Sequence, residues 1–184
     1  MGPDVWTAIF SGLTLAVFVI TAVAALIQLR HLRMANSLTG LVTTLQDWQK
    51  PELQKWIDFI RFELPERMKD EHFVAQLRTS PVPRSEHPEL NVCDYYEQVG
   101  SYVKYGMIDR EAYLDVACAT IVAFWQRLWP TILVMRETRG DSLYENFEYL
   151  AVLGQQWTDA HPDGAYPRGL PRWRELTKDE ESRS

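Results

Sequence analysis

The chain has 184 residues and carries 19 basic against 25 acidic side chains, which gives a formal net charge of −6. This length is enough for one folded domain with an appendage. The acidic balance argues against binding to a phosphate backbone, because such binding needs a clustered positive surface. Nucleic acid is therefore not expected as a partner.

The first predicted element is an apolar helix near the N-terminus. From Val5 to Leu29 the chain contains no Asp, Glu, Lys, Arg or His. At a helical rise of about 1.5 Å these residues span roughly 37 Å, which is sufficient to cross a hydrocarbon core of about 30 Å with some tilt. Trp6 lies where aromatic side chains favour the membrane interface. The pattern predicts a transmembrane helix.

This helix has two alternative fates, cleavage as a signal peptide or retention as an anchor. Ala22–Ala24 resembles a cleavage site, but no Lys or Arg precedes the apolar run, and the run is too long for a signal core. Retention is favoured. Arg30, His31 and Arg33 directly follow, so the positive-inside rule predicts a cytoplasmic body and an external N-terminus. Residues 1–35 are assigned to the anchor and its basic stop.

Residues 36–157 are predicted to form an all-α domain, a cytoplasmic bundle of about five helices. Apolar residues recur there at three- and four-residue steps, and no alternating strand pattern appears. The membrane helix is expected to continue to about Trp48 as a stalk that Gly40 loosens.

Prolines punctuate the next part of the chain. A helix that begins at Pro51 is expected to end at Pro65, because the residue before a proline is disfavoured in helical conformation. A shorter helix is predicted over 66–78. Residues 79–91 contain three prolines and few apolar side chains, which predicts a loop that either connects helices or contacts a partner.

Helix is predicted again over about 89–105, followed by a sharp turn. Gly106 suits a left-handed conformation, and Asp109 suits the N-cap of the next helix. That helix is expected to run from Arg110 to Gly140, with Pro130 either kinking it or starting a continuation.

The last predicted helix of the bundle ends at about Trp157. Asp141 or Ser142 is expected to cap its N-terminus. Residues 158–184 contain several prolines and glycines and a charged end, which predicts an extended or disordered tail.

Four stretches of the sequence resemble an uncharacterised family of bacterial single-pass membrane proteins that is known only as a domain of unknown function. The stretches are AALIQLR, VGSYVKYGMIDREAYLDV, IVAFWQRLWPTILVMRE and YENFEYLA. The resemblance covers most of residues 20–152. It implies an N-terminal anchor in a bacterial inner membrane with a cytoplasmic helical domain, and it implies no catalytic residues.

No linear catalytic or metal-binding motif occurs, so no cofactor, metal ion or enzymatic activity is expected. The densest group of aromatic and charged residues lies on the last two predicted helices of the bundle. It contains Trp125, Arg136, Glu137, Phe147 and Glu148. An Arg136–Glu148 ion pair over packed Trp125 and Phe147 would tie the helices together. Alternatively, the group is a partner surface, since aromatic residues and arginine dominate interface energetics.

The favoured hypothesis is a membrane-anchored interaction module or accessory subunit whose partners are the lipid bilayer and another membrane protein or a second copy of the chain. The alternative is a membrane-perturbing defence or toxic effector whose span oligomerises. An enzyme built from scattered carboxylates and histidines is a third reading, which a buried acid or histidine in a closed pocket would support.

Overall fold

The structure is a computed structural model that describes residues 2–181, with side chains at residues 2, 3 and 10–177. The described residues form helices and turns and contain no strand. The α-helices are α1 Pro3–Trp48, α2 Pro51–Asp58, α3 Leu64–Arg67, α4 Glu71–Gln76, α5 Glu89–Lys104, α6 Arg110–Arg139, α7 Glu145–Ala160 and α8 Trp173–Glu181. The all-α prediction is confirmed.

The apolar run and the stalk form one uninterrupted helix, α1, of 46 residues. The prediction that Gly40 loosens it is wrong. Instead, the missing side chain lets α1 approach the turn after α5, because a Cβ at Gly40 would lie 3.1 Å from Cγ1 of Ile108.

The helix that begins at Pro51 continues past Pro65, against the prediction that it ends there. Between α2 and α3 lies a π-helical turn, Phe59–Glu63, in which the Leu64 N–H donates to the Phe59 carbonyl. A proline lacks an N–H and crowds the carbonyl four residues earlier, and a wider turn relieves that crowding. The predicted helix 66–78 is shortened to α4, where Asp70 accepts a hydrogen bond from the His72 N–H at 2.9 Å.

The predicted turn between α5 and α6 is confirmed. Gly106 has a φ of +68°, and Oδ1 of Asp109 accepts from the Ala112 N–H at 2.8 Å. Helix α6 continues through Pro130 to Arg139.

The start of α7 differs from the prediction of an Asp141 or Ser142 cap. Tyr144 precedes the helix in a left-handed conformation with a φ of 58°. The cap comes from another helix, because the Glu97 carboxylate of α5 accepts from the N–H groups of Asn146 at 3.0 Å and Phe147 at 2.9 Å.

Helix α7 packs along α6 and crosses α5. The crossing point with α5 is Gly100, where a Cβ would lie 2.1 Å from the Asn146 carbonyl oxygen. The core between these helices and α2 is formed by fully buried aromatic and aliphatic side chains, among them Ile57, Ile60, Tyr96, Phe124, Phe147 and Leu150.

The tail contains a helix that the sequence pattern did not predict. Helix α7 runs three residues past Trp157, and α8 begins at Trp173. At its start the Glu175 carboxylate accepts from the Arg172 N–H at 3.0 Å, which is the reciprocal half of a capping box. Residues 162–176 are exposed throughout.

Candidate membrane anchor and interaction surface

The apolar part of α1 has no protein cover. Every residue from Phe10 to Leu29 is exposed, including Phe18 at 69% and Leu26 at 66%. The hydroxyls of Thr14 and Thr21 donate to the carbonyls one turn earlier, both at 2.8 Å, so these polar groups are satisfied within the helix. An apolar helix of this length with no protein around it has the properties of a membrane span.

Two described helices are long and apolar enough to cross a membrane, α1 and α6. They differ in their surroundings. Ile121, Phe124 and Leu128 of α6 are almost completely buried against other helices, whereas the apolar window of α1 is not buried at all. Helix α6 therefore has the properties of a core helix of the bundle, with one side buried and the other exposed.

Three residues predicted at the membrane interface follow the apolar run on α1. Arg30, His31 and Arg33 are exposed, and within the described residues neither arginine has an ion-pair partner. Their charges are thus available to lipid headgroups. The fourth, Trp6, lies in α1, but its side chain is outside the part of the chain that the structure describes.

The far end of α1 is built into the bundle. The Trp48 ring centroid lies 5.7 Å from that of Tyr96 and 5.5 Å from that of Phe124. The Tyr95 hydroxyl donates to the Thr44 carbonyl at 2.9 Å. These contacts and the apolar part therefore lie on one continuous helix, α1.

Arg136 ties α6 to α7, as one of the two sequence interpretations expects. Its side chain is 7% exposed, and its Nη2 donates to Oε2 of Glu148 at 2.6 Å. Its Nε donates to the Leu143 carbonyl at 3.0 Å. Phe147 is fully buried and meets the Trp125 ring edge to face at a centroid distance of 5.0 Å. Glu137 lies apart from this group and pairs with Arg78 at 2.9 Å.

The outer side of the same group is accessible. Trp125 and Trp129 lie 5.4 Å apart by ring centroid, and the Arg136 guanidinium is 5.5 Å from the Trp129 ring. A cavity of about 310 Å³ opens between them and Glu148. One helical turn further on, Leu133 is 49% exposed. Trp125, Trp129 and Leu133 form what we call the α6 aromatic patch.

A buried ionisable pair lies where the loop 79–88 enters α5, and the sequence analysis missed it. His87 and Glu89 are both 0% exposed, and His87 Nδ1 lies 2.8 Å from Oε1 of Glu89. The other ring nitrogen of His87 lies 3.1 Å from Oε1 of Gln76, and the Phe73 ring is at a centroid distance of 4.1 Å.

Burial raises the pKa of Glu89 because desolvation disfavours its charged form, while the hydrogen bond to His87 opposes this. Its second oxygen, Oε2, has no hydrogen-bond partner among the described residues. Since neither side chain reaches solvent, the pair presents no surface to a substrate. It connects α4, the loop and α5, which makes it a structural element.

Of the remaining histidines, His72 reaches this pair indirectly through Gln76, and His31 and His161 lie elsewhere. His31 is on the stalk, and His161 stacks on Trp157 with ring centroids 4.3 Å apart. His72 lies 3.3 Å from the Gln76 amide nitrogen. Among the residues that were searched, no three His, Cys, Asp or Glu side chains form a group that would hold a metal ion.

Residues 7–157 match a family model described as Domain of unknown function (DUF4760). The chain belongs to this family. The match begins inside α1 and ends inside α7, so the family unit combines the apolar helix with the whole bundle, and α8 lies outside it. No curated protein and no solved structure matches the chain.

Proposed function

We propose that this protein is a single-pass membrane protein whose helical bundle lies on the cytoplasmic side of a bacterial inner membrane. The observation that carries the proposal is the uncovered apolar surface of α1 from Phe10 to Leu29. This stretch measures about 30 Å, which equals the thickness of a hydrocarbon core. Arg30 and Arg33 follow it and residues 1–9 contain no Lys or Arg, which favours an internal body.

We propose further that the bundle acts as an interaction module or accessory subunit for another membrane protein. Anchoring confines the bundle to the bilayer and thereby raises its effective concentration toward other membrane proteins. The α6 aromatic patch supports this role. Tryptophan is enriched among residues that dominate binding energy, and Trp129 and Leu133 are exposed at 37% and 49%.

Site-specific photo-crosslinking in native membranes tests this proposal. With the crosslinker at Trp129, a discrete product larger than the 21.4 kDa chain is expected, and its mass distinguishes a second copy from another protein. Leu133→Glu should abolish the product, because a charge placed in an interface core is costly to desolvate.

Val116→Glu provides the matched control. Val116 is on the same helix, is 62% exposed and lies outside the patch, so this variant should leave the crosslink unchanged. A chain that remains a monomer even after prolonged irradiation would contradict the interaction role. A chain that alkaline carbonate releases from membranes would contradict the anchor itself.

A further inference from the structure

The segment 161–176 differs in chemistry from the rest of the chain. The segment contains three arginines against two acidic residues, Asp163 and Glu175, and is therefore net basic in a chain whose net charge is −6. Four large apolar or aromatic side chains alternate with the arginines, and all are exposed. They are Tyr166 at 45%, Leu170 at 59%, Trp173 at 79% and Leu176 at 45%. Basic residues interleaved with Trp, Tyr and Leu are typical of segments that lie in a membrane interface.

The segment holds its shape through its own contacts. The Arg172 guanidinium lies 4.5 Å from the Tyr166 ring centroid and donates to the Asp163 carbonyl at 3.0 Å. The Tyr166 hydroxyl donates to the Pro171 carbonyl at 3.1 Å. These bonds order the segment without covering Leu170 or Trp173, so its apolar side chains stay available for another surface.

The register of α7 on α6 shows which end of the bundle the segment leaves. Phe147 meets Trp125, and seven residues later Gly154 lies against Cys118, with the Gly154 Cβ position 3.2 Å from the Cys118 carbonyl oxygen. Seven residues forward on α7 thus correspond to seven residues backward on α6, so the two helices are antiparallel. Extending this register brings the end of α7, Ala160, level with about residue 112 of α6.

That end of α6 lies beside the part of α1 that emerges from the apolar span. Arg110 and Ala112 line a groove of about 450 Å³ together with Arg33 and Ser37 of α1. The segment therefore leaves the bundle at the end nearest to the bilayer that α1 would cross.

We propose that the segment 161–176 is a second membrane contact, which binds the headgroups of anionic phospholipids. The proposal rests on anchoring by α1, which brings the lipid surface within reach. Trp173 and Leu176, one turn apart on α8, enter the headgroup layer. Arg168, Arg172 and Arg174 pair with lipid phosphates, and attraction of this kind falls steeply with salt.

Fluorescence quenching of Trp173 tests the proposal on the full-length protein in nanodiscs. The discs contain phosphatidylcholine with or without phosphatidylglycerol, and a doxyl-labelled lipid acts as the quencher near the headgroups. The difference between wild type and Trp173→Phe isolates the signal of Trp173. Quenching is expected in anionic discs and not in zwitterionic ones, and high salt should relieve it.

Neutralising the arginines provides the decisive comparison. The substitutions R168Q and R174Q remove two charges and leave Arg172, which holds the segment's shape. The double variant should weaken the contact roughly thirtyfold and abolish the quenching. The matched control removes two charges from exposed positions of the bundle with K55Q and R127Q, and it should keep the quenching.

The outcomes separate this contact from the anchor. A protein that stays in the discs after an alkaline wash, but whose Trp173 is not quenched, overturns the second contact and leaves the anchor in place. Equal quenching with and without phosphatidylglycerol also overturns it. A protein that the wash releases from both kinds of disc overturns the anchor, and the second contact with it.

Discussion

Gly100→Ala is expected to lower the free energy of unfolding by at least about 3 kcal/mol. The new Cβ would lie 2.1 Å from the Asn146 carbonyl oxygen and 2.6 Å from the carbonyl carbon. Both atoms belong to the backbone of α7, so no side-chain rotation relieves the overlap and α5 and α7 must separate. Alanine gains about 1 kcal/mol in helix propensity over glycine, which is too little to offset this.

Gly154→Ala is the graded control for this prediction. A Cβ at Gly154 would lie 3.2 Å from the Cys118 carbonyl oxygen and from a methyl group of Val122. A shift of a few tenths of an ångström accommodates the new Cβ, so the free energy of unfolding of Gly154→Ala should stay within about 1 kcal/mol of the wild-type value. Urea unfolding of the detergent-solubilised protein, followed by tryptophan fluorescence, measures both. Equal stability of the two variants would contradict the close α5–α7 crossing.

Glu89→Ala is expected to lower the free energy of unfolding by about 2–5 kcal/mol, the range for emptying a buried side-chain site and leaving its hydrogen-bond partner unsatisfied. The change leaves His87 Nδ1 without its partner at 2.8 Å and opens a cavity at the start of α5. Glu63→Ala is the matched control, since Glu63 is exposed and lies outside this hydrogen-bond network; it should lower the free energy of unfolding by less than about 1 kcal/mol. A Glu89→Ala loss no larger than that of the control would contradict the buried pair.

The raised pKa of Glu89 also determines how the stability of the protein changes with pH. Because burial raises the pKa of Glu89 above its ordinary value of 4.5, the folded protein keeps this proton at pH values where the unfolded chain has released it. The stability of the wild type relative to Glu89→Gln should therefore decline as the pH rises from below 4.5 toward neutrality. A relative stability that increases over this range would contradict the raised pKa.

The features that were predictable from the sequence depend on neighbouring residues. The uncharged run before Arg30 is sufficient to indicate a long apolar helix. The turn at Gly106 and the cap at Asp109 follow from the conformational freedom of glycine and from the short carboxylate of aspartate. The Arg136–Glu148 ion pair could be predicted because both residues lie close to the turn that connects α6 and α7.

The features that were missed depend on residues distant in sequence. Glu97 caps α7 from 49 residues away, and no pattern near Asn146 indicates it. His87 and Glu89 are polar residues beside a proline, which suggests exposure; only Gln76 and Phe73 of α4 enclose them. In the sequence, Gly100 indicates only a residue of low helix propensity. Its role depends on the close contact with the α7 backbone at Asn146.

We propose that α1 spans the membrane and keeps the bundle in the cytoplasm. The most direct test is labelling with a membrane-impermeant maleimide in intact cells. Cysteine is introduced either at Gly2 or at exposed Ser85 in a Cys118→Ala background. Cys93 is fully buried with a raised thiol pKa, so it stays in place, and the background protein serves as the unlabelled control.

We predict that Gly2→Cys is labelled in intact cells and that Ser85→Cys is labelled only after the membrane is permeabilised. Labelling of Ser85→Cys from outside intact cells would contradict the proposed topology.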